Sequence, residues 1–239
     1  MGDPFDPFDP LMKRPKQIIA LSVALFAGFL IQAQSFQNLN FESANFAGYS
    51  PNSSDVPISA ALPGWSGFYG SSQTSDAWYD GISIGGAMIS VVDDNAPAFA
   101  PLQGNYSAFL FGGGGIGGLS ASISQTGTIS AGTQSITMDA WEYGASPIVA
   151  INGVAINMMP VQTFANYSVY GGTVPSADVG PPVTLSFTVP APASGGPSMF
   201  ELDDISFSTN VVASPEPNMV ALSAIGGLLF GARKWFARR

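Results

Sequence analysis

Few kinds of reactive side chain are present in this chain. Its 239 residues include 16 aspartates and glutamates, seven lysines and arginines, and no histidine or cysteine. Glu201, Asp203 and Asp204 fall within one short apolar stretch near the end. On a strand, alternation sets Glu201 and Asp203 on one face, about 7 Å apart along the chain, and Asp204 on the other. Two acids so spaced are the minimum equipment of an inverting glycosidase. A second constellation is Trp65, Phe68, Tyr69, Trp78 and Tyr79, interleaved with Asp76 and Asp80. If exposed, the rings could stack on sugar faces while the two aspartates accept hydroxyl hydrogen bonds. If packed between sheets, the same rings are plain core. Trp141, Glu142 and Tyr143 form a smaller set of this kind. No aromatic cleft attaches to the closing carboxylates in the sequence, so the protein reads as non-catalytic.

The missing residue types exclude much other chemistry. Without imidazole or thiol there is no Ser-His or Cys-His nucleophile, and no ordinary zinc, copper or haem site. Every basic residue is terminal: Lys13, Arg14, Lys16, Arg233, Lys234, Arg238 and Arg239. Residues 17–232 contain none, so this region offers no cationic surface to nucleic acid or phosphate. The glycine-rich run 112–118 matches GxGxxG formally, but strand-like alternation follows it and no P-loop lysine exists. It reads as an inter-strand loop. Asp93-Asp94-Asn95 lacks the glycine and distal glutamate of an EF-hand and reads as a polar turn.

These groups must be held by β-structure. Between residues 36 and 207, short alternating or β-branched runs are punctuated by Gly, Pro, Ser and Asn. The expected strands are 37–41, 82–92, 106–111, 119–125, 134–143, 148–151, 154–158, 166–170, 183–189 and 199–208. Asn152-Gly153 between two apolar runs signals a type I′ hairpin. The expected fold class is all-β: a two-sheet antiparallel β-sandwich of jelly-roll type, flanked by an N-terminal signal helix and a C-terminal transmembrane sorting helix.

Three segments follow from the ends. Residues 1–33 form an extension and signal peptide: Lys13-Arg14-Pro15-Lys16, a 14-residue apolar run over 18–31, and a small residue, Ala33, at the cut. A DPF repeat precedes Met12, which would serve as a more ordinary start. Residues 34–213 are the β-sandwich ectodomain. Residues 214–239 contain Pro215-Glu216-Pro217, one apolar run over 218–232, and the terminal Arg233, Lys234, Arg238 and Arg239. Basic residues on the outer flank of both apolar runs place the two ends in the cytoplasm and the middle outside it. A helix of about 22 Å is thin for a lasting anchor.

The tail resembles the PEP-CTERM sorting domain of Gram-negative bacteria, and its order of triplet, helix and arginine cluster matches throughout. The resemblance implies an exosortase-type protease as processing partner and export through the inner membrane. It also implies residence at the cell surface or in an exopolysaccharide matrix, with membrane contact only through the terminal helix before processing. An uncut anchor is the alternative. Losing both ends would leave 13 carboxylates over 34–217 and no basic side chain.

The middle resembles the galactose-binding-like jelly rolls, which include many carbohydrate-binding modules. The similarity is carried by Asn38-Leu39-Asn40-Phe41-Glu42, Leu62-Pro63-Gly64-Trp65, Ser124-Gln125-Thr126, and the closing run from Phe200 to Phe207 with Leu202-Asp203-Asp204. That resemblance implies a structural Ca²⁺ near the chain ends of the domain, held by Glu42 with Asp203 or Asp204. Three functions stay open: a glycan-binding module, a matrix component bridged by divalent cations, and a small carboxylate-only glycosidase.

Overall fold

A computed structural model describes residues 34–82, 85–114, 118–192 and 196–212. The signal segment with Ala33 and the tail with Pro215, Glu216, Pro217, Arg233, Lys234, Arg238 and Arg239 lie outside the described residues. In chain order the elements are β1 (Val56–Pro57), α1 (Ile58–Ala61), β2 (Ser66–Tyr69), β3 (Ser72–Thr74), β4 (Asp76–Tyr79), β5 (Met88–Val92) and β6 (Ser107–Gly112). There follow β7 (Ala121–Thr128), β8 (Ser135–Tyr143), β9 (Ile148–Ile151), β10 (Val154–Ala155), β11 (Met159–Thr163) and β12 (Ser168–Thr173). A short 3-10 turn then leads to β13 (Pro182–Val189) and β14 (Ser198–Ser208).

The strands form a two-sheet β-sandwich. The larger sheet has eight strands in the order β1-β4-β5-β6-β14-β8-β12-β11, and the smaller has six, β10-β9-β13-β7-β2-β3. Pairing is antiparallel except between β4 and β5. Strict alternation aims Val183, Leu185, Phe187 and Val189 of β13 inward, against Leu110, Phe200 and Leu202 of the large sheet. Asn152 and Gly153 carry φ of 51° and 76°, the left-handed pair a type I′ turn requires, and join β9 to β10 as expected.

Several expected strands differ. Residues 37–41 form turns, because Asn38 and Phe41 both take left-handed φ, at 49° and 56°. Phe41 still reaches the core, fully buried against Trp65. The expected strand 82–92 shortens to Met88–Val92, and β4, which the sequence did not mark, supplies its parallel neighbour. Strand 154–158 gives way to the two residues of β10 and a separate β11 on the other sheet.

β5 and β6 are buried on both faces. Ile89, Val91, Ala108 and Leu110 point into the sandwich, while Met88, Val92, Phe109 and Phe111 point out into a second apolar cluster. That cluster is roofed by Ala96 and Phe99 and flanked by Trp78, Trp141 and Met199. The outer face of the large sheet thus has a small core of its own.

Candidate functional site

Register builds the site on this outer face. Trp78 lies opposite Ser90, Ser90 opposite Phe109, Phe109 opposite Glu201, and Glu201 opposite Trp141, one row across five strands. Phe99 sits over the row, its ring 4.6 Å from Phe109 and 5.3 Å from Trp141. Beneath it lies a groove of about 320 Å³ lined by Phe99, Leu102, Trp141, Asn166 and Glu201, among others.

Carboxylates, two of them fully buried, pin the segment that carries Phe99. At its start Asp93 accepts the Asn95 N–H at 2.7 Å and the Tyr79 hydroxyl at 2.7 Å, while the Asp93 N–H donates to Asp80 Oδ1 at 2.9 Å. The stretch 93–95 is therefore a turn closed by its own aspartate. At its end Asp203 Oδ2 accepts the Gln103 N–H at 3.2 Å and the Ser107 hydroxyl at 2.8 Å, and the same hydroxyl accepts the Leu102 N–H. Glu42 accepts the backbone N–H groups of Asn105 and Tyr106 and the Asn105 amide, at 2.7, 3.0 and 2.7 Å. Gly104 makes this possible: its φ is +58°, and a Cβ there would come within 2.2 Å of Glu42 Oε1.

Electrostatics follow from burial without counter-charge. Glu201 is 2% exposed, and its Oε1 has no hydrogen-bond partner. Burial pushes its carboxyl up to about 8, with the neighbouring Asp203 adding to the effect. Burial likewise lifts Asp203 to about 7 and raises Asp139, which lies directly opposite it. Asp80, fully buried, is raised to about 6 by the same cause. Glu42 goes the other way: burial would raise it, but its hydrogen bonds from Asn105 and Tyr106 hold it below the usual range.

The first aromatic constellation is dispersed. Trp65 is buried between Phe41 and Phe187, its indole N–H donating to the Asn38 carbonyl. Tyr79 is buried and stacks on Phe46 at 3.9 Å. Tyr69 is half-buried, its hydroxyl accepting the Ile89 N–H. Asp76 accepts the Ser75 hydroxyl, and Asp80 anchors the 93–95 turn. Only Trp78 points to the outer face, half-buried at the end of the row. The smaller set fares differently: Trp141 joins the groove, Tyr143 is exposed further along β8, and Glu142 turns to the other face, where it accepts the Tyr170 hydroxyl.

The closing strand needs one correction. Glu201 and Asp203 share the outer face, but Asp204 does not point inward. The β14–β8 register shifts between Asp203 and Ser206, and Asp204 takes φ of +48° as the extra residue of a bulge. Ile205 then fills the inward position, and Asp204 stays exposed. This brings Glu42, Asp203 and Asp204 to one pocket of about 220 Å³, with Asn40, Gln103 and Gly104. These all-oxygen donors suit calcium in type. Among the described residues no three His, Cys, Asp or Glu side chains converge as a metal-holding group.

Sequence reasoning missed Phe99, Asn166 and Asp139. Asp139 and Trp141 alternate with Met138 and Ala140 on β8, and that pattern marked the outward face. Nothing local tied it to β14.

No protein-family model matches the sequence, and no curated protein shows significant similarity to it. Among solved structures, a cyclase from Fischerella sp. TAU superposes with a TM-score of 0.43 at 14% identity, over 72% of this chain and 94% of that one. TmCBM61 in complex with β-1,4-galactotriose gives 0.39 at 12% identity, over 74% and 99%. The enzymatically active domain of tailspike protein 4 from bacteriophage CBA120 gives 0.38 at 13%, over 74% and 22%. Superposition at this level transfers neither ligand nor activity.

Proposed function

We propose that this protein is a non-catalytic glycan-binding module, exported and sorted by an exosortase-type protease to the cell surface or exopolysaccharide matrix. The observation that carries the binding reading is the groove under Phe99. It offers aromatic planes from Phe99 and Trp141 and polar groups from Glu201 and Asn166, the mixture a sugar site needs. The sorting reading rests on the Pro215-Glu216-Pro217 tail and the placement of all basic residues at the ends. Affinity electrophoresis through polysaccharide gels tests the binding reading. Retardation of the wild type, lost in a Trp141→Ala variant that still melts cooperatively, supports it; no retardation by any polysaccharide refutes it.

A second reading is a matrix component bridged by divalent cations. It is favoured by the pocket of Glu42, Asp203 and Asp204 in a region with no basic side chain. It expects calcium-dependent self-association without sugar binding, measured by light scattering. Small-carboxylate glycosidase activity is the least supported reading, since Asp203 already serves to hold the 102–107 segment.

A further inference from the structure

We infer that the groove beneath Phe99 takes a neutral, hydroxyl-bearing pyranose, and that Glu201 Oε1 is the partner of one of its hydroxyls. The inference rests on the glycan-binding reading and names the class of sugar. Glu201 is nine-tenths buried and more, yet one of its carboxyl oxygens has no partner, and the residue lines the groove. A buried polar atom left unmade is costly, and native structures keep very few without a ligand, water or task. On the two flanking strands its cross-strand partners are Phe109 and Trp141, and neither donates a hydrogen bond to that oxygen.

Charge selects among sugars. A uronate or sulfated residue would bring its charge into an apolar groove beside Glu201, with Asp203 and Asp139 in the next outward row, and no cation is there to offset that charge. The described residues contain no lysine, arginine or histidine anywhere. A neutral pyranose avoids this cost. Its C–H face can lie on Trp141 or Phe99, and its hydroxyls can reach Glu201 and the exposed Asn166 amide.

The test uses the full chain in affinity electrophoresis with chelator present, through gels of galactan, xyloglucan, β-1,3-glucan or mannan, and separately of alginate or polygalacturonate. At least one neutral polymer should retard the protein, and neither polyuronate should. Glu201→Leu should weaken that retardation at least tenfold, Glu201→Gln should keep most of it, and Asn166→Ala, at an exposed position, should weaken it about threefold. Thermal melts confirm that each variant is folded. Retardation by polyuronates alone, or full retardation of both Glu201→Leu and Asn166→Ala, would overturn the inference while leaving glycan binding intact. Retardation by no polymer of either class would overturn both.

Discussion

Asp203 of β14 and Asp139 of β8 lie directly opposite one another in the sheet, two buried carboxyls with no basic side chain among the described residues to pair with. Burial strips both of water, and the charge of nearby Asp204 adds to the effect. Both carboxyls are therefore raised, as is Glu201 in the preceding outward row. The acidic composition, read at the level of single residues, is a store of protons held by the fold.

The first prediction concerns pH. A carboxyl raised in the folded state keeps a proton that the unfolded chain releases, so its contribution is full below the unfolded value and is lost as pH climbs through the folded one. For Glu201 that window runs from 4.5 to about 8, and for Asp203 from 3.8 to about 7. Glu42 and Asp93, which are lowered, act oppositely and lose their contribution below the ordinary carboxylate range. Thermal melts should show greatest stability near pH 4 to 5 and a decline of several degrees toward pH 8.5. Glu201→Gln should remove much of this decline. A profile that rises from pH 5 to 8 would contradict the assignment.

The aromatic residues should separate into two classes. Trp65→Ala opens a cavity between Phe41 and Phe187 and should cost about 3–5 kcal/mol in urea denaturation. Tyr79→Ala should also be strongly destabilising, since it loses the Phe46 stack and the Asp93 hydrogen bond. Trp141→Ala, at the rim, should cost about 1 kcal/mol while abolishing polysaccharide retention. Equal destabilisation by Trp65→Ala and Trp141→Ala would remove the distinction.

Calcium should raise the melting temperature by several degrees relative to chelator, and Asp204→Asn, at an exposed lining position, should reduce the shift. Identical melts in millimolar calcium and in chelator would dismiss a structural ion at this pocket.

The bulge makes a backbone prediction. With φ of +48°, Asp204 occupies a conformation that glycine takes freely and β-branched residues resist. Asp204→Gly should be near neutral, and Asp204→Val should cost about 1–3 kcal/mol by equilibrium unfolding. Similar stability for the two would argue against the left-handed bulge.

Processing is tested by mass. Surface material should lack the residues following the Pro215-Glu216-Pro217 triplet, as shown by intact-protein mass spectrometry. A mature species ending at Arg239 would refute removal of the tail.

What the sequence alone determined is what depends on residue type and short spacing. The β class shows in the period-two alternation of Val183, Leu185, Phe187 and Val189, and the β9–β10 hairpin in Asn152-Gly153, because pleat and turn geometry are local. The absence of positive charge between residues 17 and 232 is compositional, and no fold could alter it. The tertiary structure alone decided which aromatics are core and which line a groove. Trp65 and Trp141 are spelled alike, but one packs into the inner core against Phe41 and Phe187 and the other lies on the outer face of the large sheet. The groove needs the register of β14 on β6 and β8, and a segment near residue 99 folded back over them. The β14 pairings join residues 56 to 94 positions apart, and a one-residue slip would exchange the faces. Local spacing carries no record of that register, so Glu201 and Trp141 became neighbours only when the sheet was assembled.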